Sequence, residues 1–91
     1  MASRLEIRVE GRVQGVAFRW HTRKQALAYG LQGTVRNLRD GSVAIVAEGN
    51  RGALERLLAW AATGPPHAQV VTTEVRWAEA RGDFSDFLIT G

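Results

Sequence analysis

The sequence contains no cysteine, which excludes disulfide bonds, thiolate metal sites and a thiol nucleophile. It also lacks a long apolar run: residues 1–10 alternate apolar and charged side chains, unlike the core of a signal peptide or a membrane span. We therefore expect a soluble, cytoplasmic protein that does not associate with a membrane. A chain of 91 residues is long enough for one hydrophobic core, so we predict one domain over residues 1–91 and, by default, a monomer.

The charge is distributed unevenly along the chain. Residues 1–40 carry eight Lys or Arg against three Asp or Glu, whereas residues 41–91 carry four against six. A basic half suits an anionic partner, either a nucleic acid or a small phosphate compound, but it is equally typical of a solvated basic surface. Composition alone therefore leaves the partner open.

Apolar residues alternate with polar ones in several stretches, as is typical of strands with one buried face. These stretches are 4–13, 33–39, 42–48, 70–79 and 84–90. In the fourth, alternation predicts one face made of Val71, Thr73, Val75 and Trp77. Asp40-Gly41 separates the second and third stretches and is the favoured dipeptide of a two-residue hairpin turn, in which both central residues need positive φ.

Two other stretches have helical spacing. One joins Phe18, Thr22, Ala26 and Tyr29 and is expected to stop at Gly30. The other follows Asn50, a good capping residue, and joins Leu54, Leu57, Leu58 and Ala61. The order β-α-β-β-α-β plus a short C-terminal strand predicts an α+β fold, a ferredoxin-like two-layer sandwich with both helices on one face of a mainly antiparallel sheet.

The segment 11–19, Gly-Arg-Val-Gln-Gly-Val-Ala-Phe-Arg, joins the first strand to the first helix. Gly15 permits a tight path in which backbone N–H groups from about Gly15 to Arg19 converge, and such a concavity at a helix N-terminus attracts anions. The planar guanidinium of Arg19 matches phosphoryl oxygens. A glycine at a strand end is often only a turn residue, however, so this pattern alone does not decide between a phosphate loop and a turn.

Asn37 precedes the predicted hairpin turn. Its carboxamide can accept a hydrogen bond from water and donate one to an oxygen, but an asparagine in this place usually caps the turn. The histidines His21 and His67 have no metal-ligand spacing, and no paired carboxylates accompany them. We therefore predict neither a metal nor a cofactor.

Residues 11–19 and 33–49 (GTVRNLRDGSVAIVAEG) together resemble the two signature blocks of the acylphosphatase family. The second block keeps the spacing Asn-x-x-x-Gly-x-Val through Asn37, Gly41 and Val43. The likeness covers almost the entire chain, including the order of its elements. It implies a ferredoxin-like enzyme that hydrolyses the mixed anhydride of a carboxylic acid and phosphate, with a small acyl phosphate as its substrate.

The resemblance also implies roles for single residues. The family's loop arginine, which binds the phosphoryl group, falls on Arg19, and the asparagine that orients the attacking water falls on Asn37. The amides that bind the phosphoryl group, and that inorganic phosphate or sulfate can occupy, fall on Gln14, Gly15, Val16, Ala17, Phe18 and Arg19. Two positions depart from the family's pattern: Thr34 stands where an aromatic residue is common, and Leu38 where threonine is frequent. Neither replaces a catalytic group, although Leu38 removes a hydroxyl that could support the pocket.

Two alternatives fit parts of the sequence. A nucleic-acid-binding module of this fold needs exposed aromatic residues on its central strands, whereas the exposed positions of the first strand are Glu6, Arg8, Glu10 and Arg12. The dispersed tryptophans Trp20, Trp60 and Trp77 are expected in the core or at its rim. A domain without activity, or one that serves a larger carbamoyl-phosphate enzyme, is the other alternative. The presence of both site residues favours a stand-alone hydrolase without nucleic-acid binding.

Overall fold

A computed structural model describes residues 2–91. The elements follow in the order β1 (Ala2–Arg12), α1 (Phe18–Ala28), β2 (Gln32–Asn37), β3 (Val43–Asn50), α2 (Arg51–Ala61), β4 (Gln69–Glu79) and β5 (Phe87–Ile89). This confirms the predicted ferredoxin-like α+β class. Within residues 2–91, no helix is long and apolar enough to cross a membrane.

The strands form one sheet in the order β4-β1-β3-β2-β5, in which β2 and β5 are parallel and the other neighbours antiparallel. Both β1 and β2 pair with β3, so they run in the same direction. Val9 of β1 and Asn37 of β2 both pair with Val43. The carboxyl ends of β1 and β2 therefore lie at the same edge of the sheet, and this edge holds the candidate site.

The helices α1 and α2 cover one face of the sheet and enclose the core. The fully buried strand residues alternate along each strand, as the period of two requires; they are Leu5, Ile7, Val9, Val35, Val43, Ile45, Ala47 and Phe87. The helices contribute Phe18, Thr22, Ala26, Leu54, Leu57 and Ala61. The ring of Phe18 packs on that of Trp60 at 5.4 Å between centroids, which anchors the start of α1 in the core.

Both helix boundaries expected from the sequence are confirmed. The side-chain oxygen of Asn50 accepts a hydrogen bond from the amide of Gly52 at 2.9 Å and caps α2. Beyond α1, Gly30 has a φ of 71°, and the amide of Leu31 returns to the carbonyl of Ala26 at 2.9 Å. This is the left-handed closure that glycine allows after a helix.

The predicted two-residue turn at Asp40-Gly41 is wrong. The amide of Leu38 donates to the carbonyl of Ser42, and the amide of Gly41 to the carbonyl of Leu38, so the loop has three residues. Gly41 alone takes a positive φ, of 93°. Asp40 does not take a positive φ, and its carboxylate accepts hydrogen bonds from the amide and hydroxyl of Ser42. This is the pattern of a three-residue loop closed by a glycine bulge.

The predicted inward face of β4 is also partly wrong. A bulge opposite Glu10 and Gly11 shifts the register, so that Val70 packs against the core while Val71 is 79% exposed. Beyond the bulge, Thr73 and Trp77 are half-buried as predicted, whereas Val75 is 42% exposed on this edge strand. The last strand is shorter than the predicted 84–90, since β5 spans only Phe87–Ile89.

Candidate active site

The loop between β1 and α1 takes a path that few residues adopt. Gly15 has a φ of 75°, and Ala17, with φ 60° and ψ 27°, also lies in the left-handed region. A non-glycine residue in this conformation costs free energy and is frequent at functional sites. α1 begins at Phe18 without a side-chain cap and without an acidic residue in its first turn. The positive end of the helix dipole therefore faces the loop uncompensated.

The amides of this loop are available to a ligand. In the chain from residue 2 to 91, the N–H groups of Gly15, Val16 and Ala17 meet no acceptor within hydrogen-bond distance. Consecutive free donors at a helix N-terminus form a site for an anion, because they satisfy the orphan amides and favour negative charge. Gly15 and Ala17 are themselves exposed, so an anion can reach them from solvent.

Arg19 lies in the first turn of α1, and its guanidinium points across the sheet edge. Its Nη1 atom donates to the main-chain oxygen of Gly91, beyond the end of β5. The side chain remains partly exposed, so the other donors of the guanidinium fork stay open to a ligand. One nitrogen of the Arg19 guanidinium is thus bonded to the protein, while other donors of the same group are open to a ligand.

Asn37 ends β2 on the helix side of the sheet. Gly33 and Val35, two and four residues earlier, are buried on that face, and alternation gives Asn37 the same direction. Its carboxamide therefore faces the start of α1. The backbone N–H of Asn37 donates to the main-chain oxygen of Gly91 at 3.5 Å. The backbone of Asn37 therefore lies close to the acceptor that Arg19 uses.

These elements enclose a pocket of about 180 Å³. Its lining consists of Val13, Gly15, Ala17, Phe18, Arg19, Trp20, Asn37 and Ile89. It is smaller than the roughly 300 Å³ at which sites for drug-sized ligands begin, so it suits a small group such as phosphate. Among the residues that line it, arginine is the sole ionisable side chain, with neither a carboxylate nor an imidazole present.

Two of the predicted loop residues do not line the pocket. The side chain of Val16 packs against the core. The side chain of Gln14 turns toward the β2–β3 hairpin, where its Nε2 atom donates to the carbonyls of Leu38 and Ser42 at 2.7 and 2.9 Å. This link joins the loop to the hairpin that carries Asn37. Nothing in the local sequence pattern indicates it, because the acceptors are main-chain atoms of a distant segment.

The two positions that depart from the family pattern differ in where they lie relative to the pocket. Thr34 pairs with Val46 and Leu88 and alternates with the buried Val35, so its side chain is on the sheet face opposite the pocket. Leu38 contributes through its backbone, which accepts from Gln14. Thr34 therefore lies away from the site, whereas Leu38 lies beside it.

The remaining polar candidates stay apart from the pocket lining. His21 packs edge-on against Trp20, at 4.9 Å between ring centroids, and His67 is exposed in the loop before β4. In residues 2–91, His, Asp and Glu form no group of three that could hold a metal ion. Trp20 and Ile89, by contrast, do line the pocket; sequence patterns did not indicate either residue.

Comparison with known proteins gives a consistent result. The sequence model of the acylphosphatase family matches residues 5–89. The acylphosphatase of Pelotomaculum thermopropionicum is 47% identical over 87 residues, covering 96% of this chain and 95% of that protein. That of Thermobifida fusca is 49% identical over 84 residues, covering 92% of each. The crystal structure of the acylphosphatase from Bacillus subtilis superposes with a TM-score of 0.94 at 34% identity, covering 98% of this chain and 99% of that one.

Proposed function

The chain belongs to the acylphosphatase family and is a hydrolase of acyl phosphates, and we propose that Arg19 and the loop amides bind the phosphoryl group while Asn37 orients the attacking water. The observation that supports this mechanism is one small pocket lined by the free-amide loop, the guanidinium and the carboxamide. The three groups come from segments that are adjacent only because β1 and β2 flank β3.

The chemistry of an acyl phosphate requires little more than these groups. The leaving carboxylate has a pKa of about 4, so it departs without protonation by a general acid. Phosphoryl transfer passes through a loose transition state whose charge lies on the equatorial oxygens. The protein therefore mainly has to position the reactants and neutralise that charge. An arginine fork and converging amides supply both effects without a metal ion, and one arginine contact of this kind is worth about 10³-fold in rate.

The attacking water is expected on the Asn37 side of the phosphoryl group. The carboxamide oxygen accepts a hydrogen bond from water, and the NH₂ group can donate to a phosphoryl oxygen, which fixes both reactants in line. Because the pocket lining carries no carboxylate or imidazole, we assign the water's proton to a phosphoryl oxygen of the substrate. A pH–rate profile that requires a deprotonated enzyme group of near-neutral pKa would contradict this assignment.

Hydrolysis of benzoyl phosphate by the wild type and by single variants tests the roles of the site residues. Arg19→Ala and Asn37→Ala are expected to lose nearly all turnover while remaining folded by circular dichroism. Arg19→Lys should also be poor, since a point charge cannot reproduce the planar fork. Arg36→Ala is the matched control, because this exposed arginine adjoins Asn37 in sequence but lines the open face of the sheet. Loss of activity in the control equal to that in Arg19→Ala would contradict the assignment.

Three further measurements test the rest of the proposal. A chelator should leave the rate unchanged, since the proposed mechanism uses no metal. Inorganic phosphate should inhibit competitively, because it occupies the loop amides. We also propose a cytoplasmic monomer; light scattering at assay concentration that gives the mass of a larger species would contradict the monomer.

A further inference from the structure

Arg8 of β1 lies on the face of the sheet that the helices leave open. Its neighbours Ile7 and Val9 are buried on the helix side, so alternation directs Arg8 to the other face, away from the candidate pocket. A partly exposed arginine on a sheet is usually a solvated charge, and an isolated ion pair there contributes little. The contacts of Arg8 are more specific than that, because two of them reach the hairpin loop of residues 38–42.

Two nitrogens of the Arg8 guanidinium bond to this loop. The Nε atom donates to the hydroxyl oxygen of Ser42 at 3.3 Å, and Nη2 donates to the carboxylate of Asp40. Ala44 is the partner of Arg8 on β3, and Ser42 lies two positions from it, roughly 7 Å along an extended chain. The arginine side chain covers this distance, and the small methyl group of Ala44 leaves its path across β3 clear.

Ser42 connects Arg8 to the rest of the loop. It is a buried polar residue, with 3% of its surface exposed, and its amide and hydroxyl both donate to Asp40. Its carbonyl accepts from the amide of Leu38 at 2.8 Å and from Gln14 at 2.9 Å. The bond from Arg8, on the open face, and the bond from Gln14, in the loop before α1, therefore end on the same residue.

The loop that Arg8 holds directly follows Asn37. Asn37 and Val43 form the last pair of the ladder between β2 and β3, and Leu38 and Ser42 are the next residues beyond that pair. A displacement of the loop is therefore transmitted to the backbone of Asn37 before any other part of the pocket lining. Arg19 belongs to α1 and is not part of this hairpin.

We propose that Arg8 is a positioning residue for hydrolysis, which fixes the hairpin loop through Asp40 and Ser42 and thereby the place of the Asn37 carboxamide. This inference rests on the proposed function and adds to it a residue that does not line the pocket. In the proposed mechanism the phosphoryl group is held by the loop amides and Arg19. Loss of Arg8 should therefore slow turnover and leave the affinity for phosphate nearly unchanged.

Kinetics of Arg8→Met and Arg8→Lys with benzoyl phosphate, and with inorganic phosphate as inhibitor, test this role. Because a small misplacement of a reactant costs up to about a hundredfold in rate, we expect kcat of Arg8→Met to fall about fivefold. The inhibition constant of phosphate should stay near the wild-type value. Arg8→Lys should show the same loss, since an ammonium group cannot reproduce the guanidinium fork that bonds Asp40 and Ser42 together.

A double-mutant cycle tests whether Arg8 acts through the loop. Asp40→Ala alone should lower kcat, and the double variant Arg8→Met with Asp40→Ala should be no slower than the slower single variant, because the contact is already lost. Ser42→Ala removes the hydroxyl but keeps the carbonyl that Gln14 uses. It should lower kcat by a smaller factor, and it keeps the cycle testable with Arg8→Met if Asp40→Ala does not fold.

Two residues on the same face of the sheet provide controls. Arg76 lines the open face beside Arg8, and between residues 2 and 91 its guanidinium bonds to no other side chain. Glu74 lies 3.5 Å from Nη1 of Arg8, on β4 and away from the hairpin. Arg76→Met and Glu74→Gln should both keep the wild-type kcat, because neither change removes a contact with the loop.

The outcomes separate this inference from the proposed function. A wild-type kcat in Arg8→Met would overturn the positioning role and leave the hydrolase mechanism intact. Equal losses of kcat and phosphate affinity, an equal loss in Arg76→Met, or additive losses in the double-mutant cycle would also overturn it. Full turnover in Asn37→Ala would instead overturn the proposed mechanism, and the role of Arg8 with it.

Discussion

The Nε2 atom of Gln14 donates to the carbonyl oxygen of Leu38 at 2.7 Å, across 24 positions of sequence. A second bond from the same atom reaches Ser42, on the other side of the hairpin loop, at 2.9 Å. One carboxamide thus joins the loop whose amides we propose to bind the phosphoryl group and the hairpin that follows Asn37. The sheet brings the two segments together, and this side chain adds a direct link between them.

Replacement of Gln14 by alanine should therefore impair catalysis without removing a group that touches substrate. Small displacements of a positioned reactant cost up to about a hundredfold in rate, so we expect kcat to fall about tenfold to a hundredfold. In the proposed mechanism inorganic phosphate needs only the loop amides and Arg19, so its inhibition constant should change much less. Steady-state kinetics with phosphate as inhibitor measures both. A parallel loss in kcat and in phosphate affinity would indicate collapse of the loop instead of misplacement of Asn37.

Gly15 offers a test of the loop path that has a close control elsewhere in the chain. Its φ is 75°, and a Cβ added there would meet nothing within 4 Å, so Gly15→Ala should cost only the backbone term of about 1–2 kcal/mol. Gly30, with φ 71° and equally open surroundings after α1, should show the same loss of stability on Gly30→Ala. Only Gly15→Ala should weaken inhibition by phosphate. Urea denaturation and inhibition kinetics on the two variants measure this, and equal effects on phosphate affinity would refute the role of the loop.

Sequence periodicity was sufficient to predict the helices and strands and their arrangement in two layers, because the burial of one face of an element imposes its period on the apolar residues. It also placed Arg19 and Asn37 at the ends of elements that the sheet brings together. The bulge that exposes Val71 could not be predicted, since alternation alone does not fix where a ladder shifts its register. The turn at Asp40 was mispredicted for a similar reason: the dipeptide favours one loop, but hydrogen bonds from Ser42 select another.

Contacts between distant segments also could not be predicted from the sequence. The bond from Arg19 to Gly91 spans 72 positions, and that from Gln14 to Leu38 spans 24. Each uses a main-chain oxygen as acceptor, which every residue possesses, so residue type gives no signal. The apolar lining by Trp20 and Ile89 was missed because exposure depends on how far α1 and β5 extend beyond the core, which periodicity does not encode.

Glu48 is a buried carboxylate that secures the segment after β4. It accepts from Arg4 at 3.0 Å and from the amides of Arg81 and Gly82 at 2.8 and 3.0 Å, and 5% of its side chain is exposed. Burial alone would raise the pKa of Glu48, but these hydrogen bonds more than offset it and hold the pKa below its ordinary value. Glu48→Ala should cost about 3 kcal/mol, as when one partner of a buried ion pair is removed.

The matched control for Glu48 is Glu6, which bonds the same guanidinium of Arg4 at 2.9 Å but whose side chain is 30% exposed. Glu6→Ala should cost below about 1 kcal/mol, since solvent screens that pair. Chemical denaturation of both variants measures the difference, and activity per folded molecule should change little in either, because the cluster lies away from the pocket lining. Equal destabilisation by the two variants would contradict the larger contribution expected of the buried carboxylate.

Asp40 should make the stability of the protein depend on pH in the acid range, through the hairpin loop. Hydrogen bonds from the hydroxyl and amide of Ser42, followed by the guanidinium of Arg8, lower the pKa of Asp40 to about 2. A carboxylate whose pKa is lowered on folding contributes stability above its unfolded pKa of about 4, and this contribution is lost as the pH falls toward 2. Asp40→Asn should therefore be less stable than wild type at pH 7, and the gap should close between pH 4 and 2. Glu55→Gln, on an exposed position of α2, corrects for the change in net charge. Denaturation midpoints across this pH range measure the gap, and a gap that stays constant down to pH 2 would show that the Asp40 carboxylate does not hold the loop.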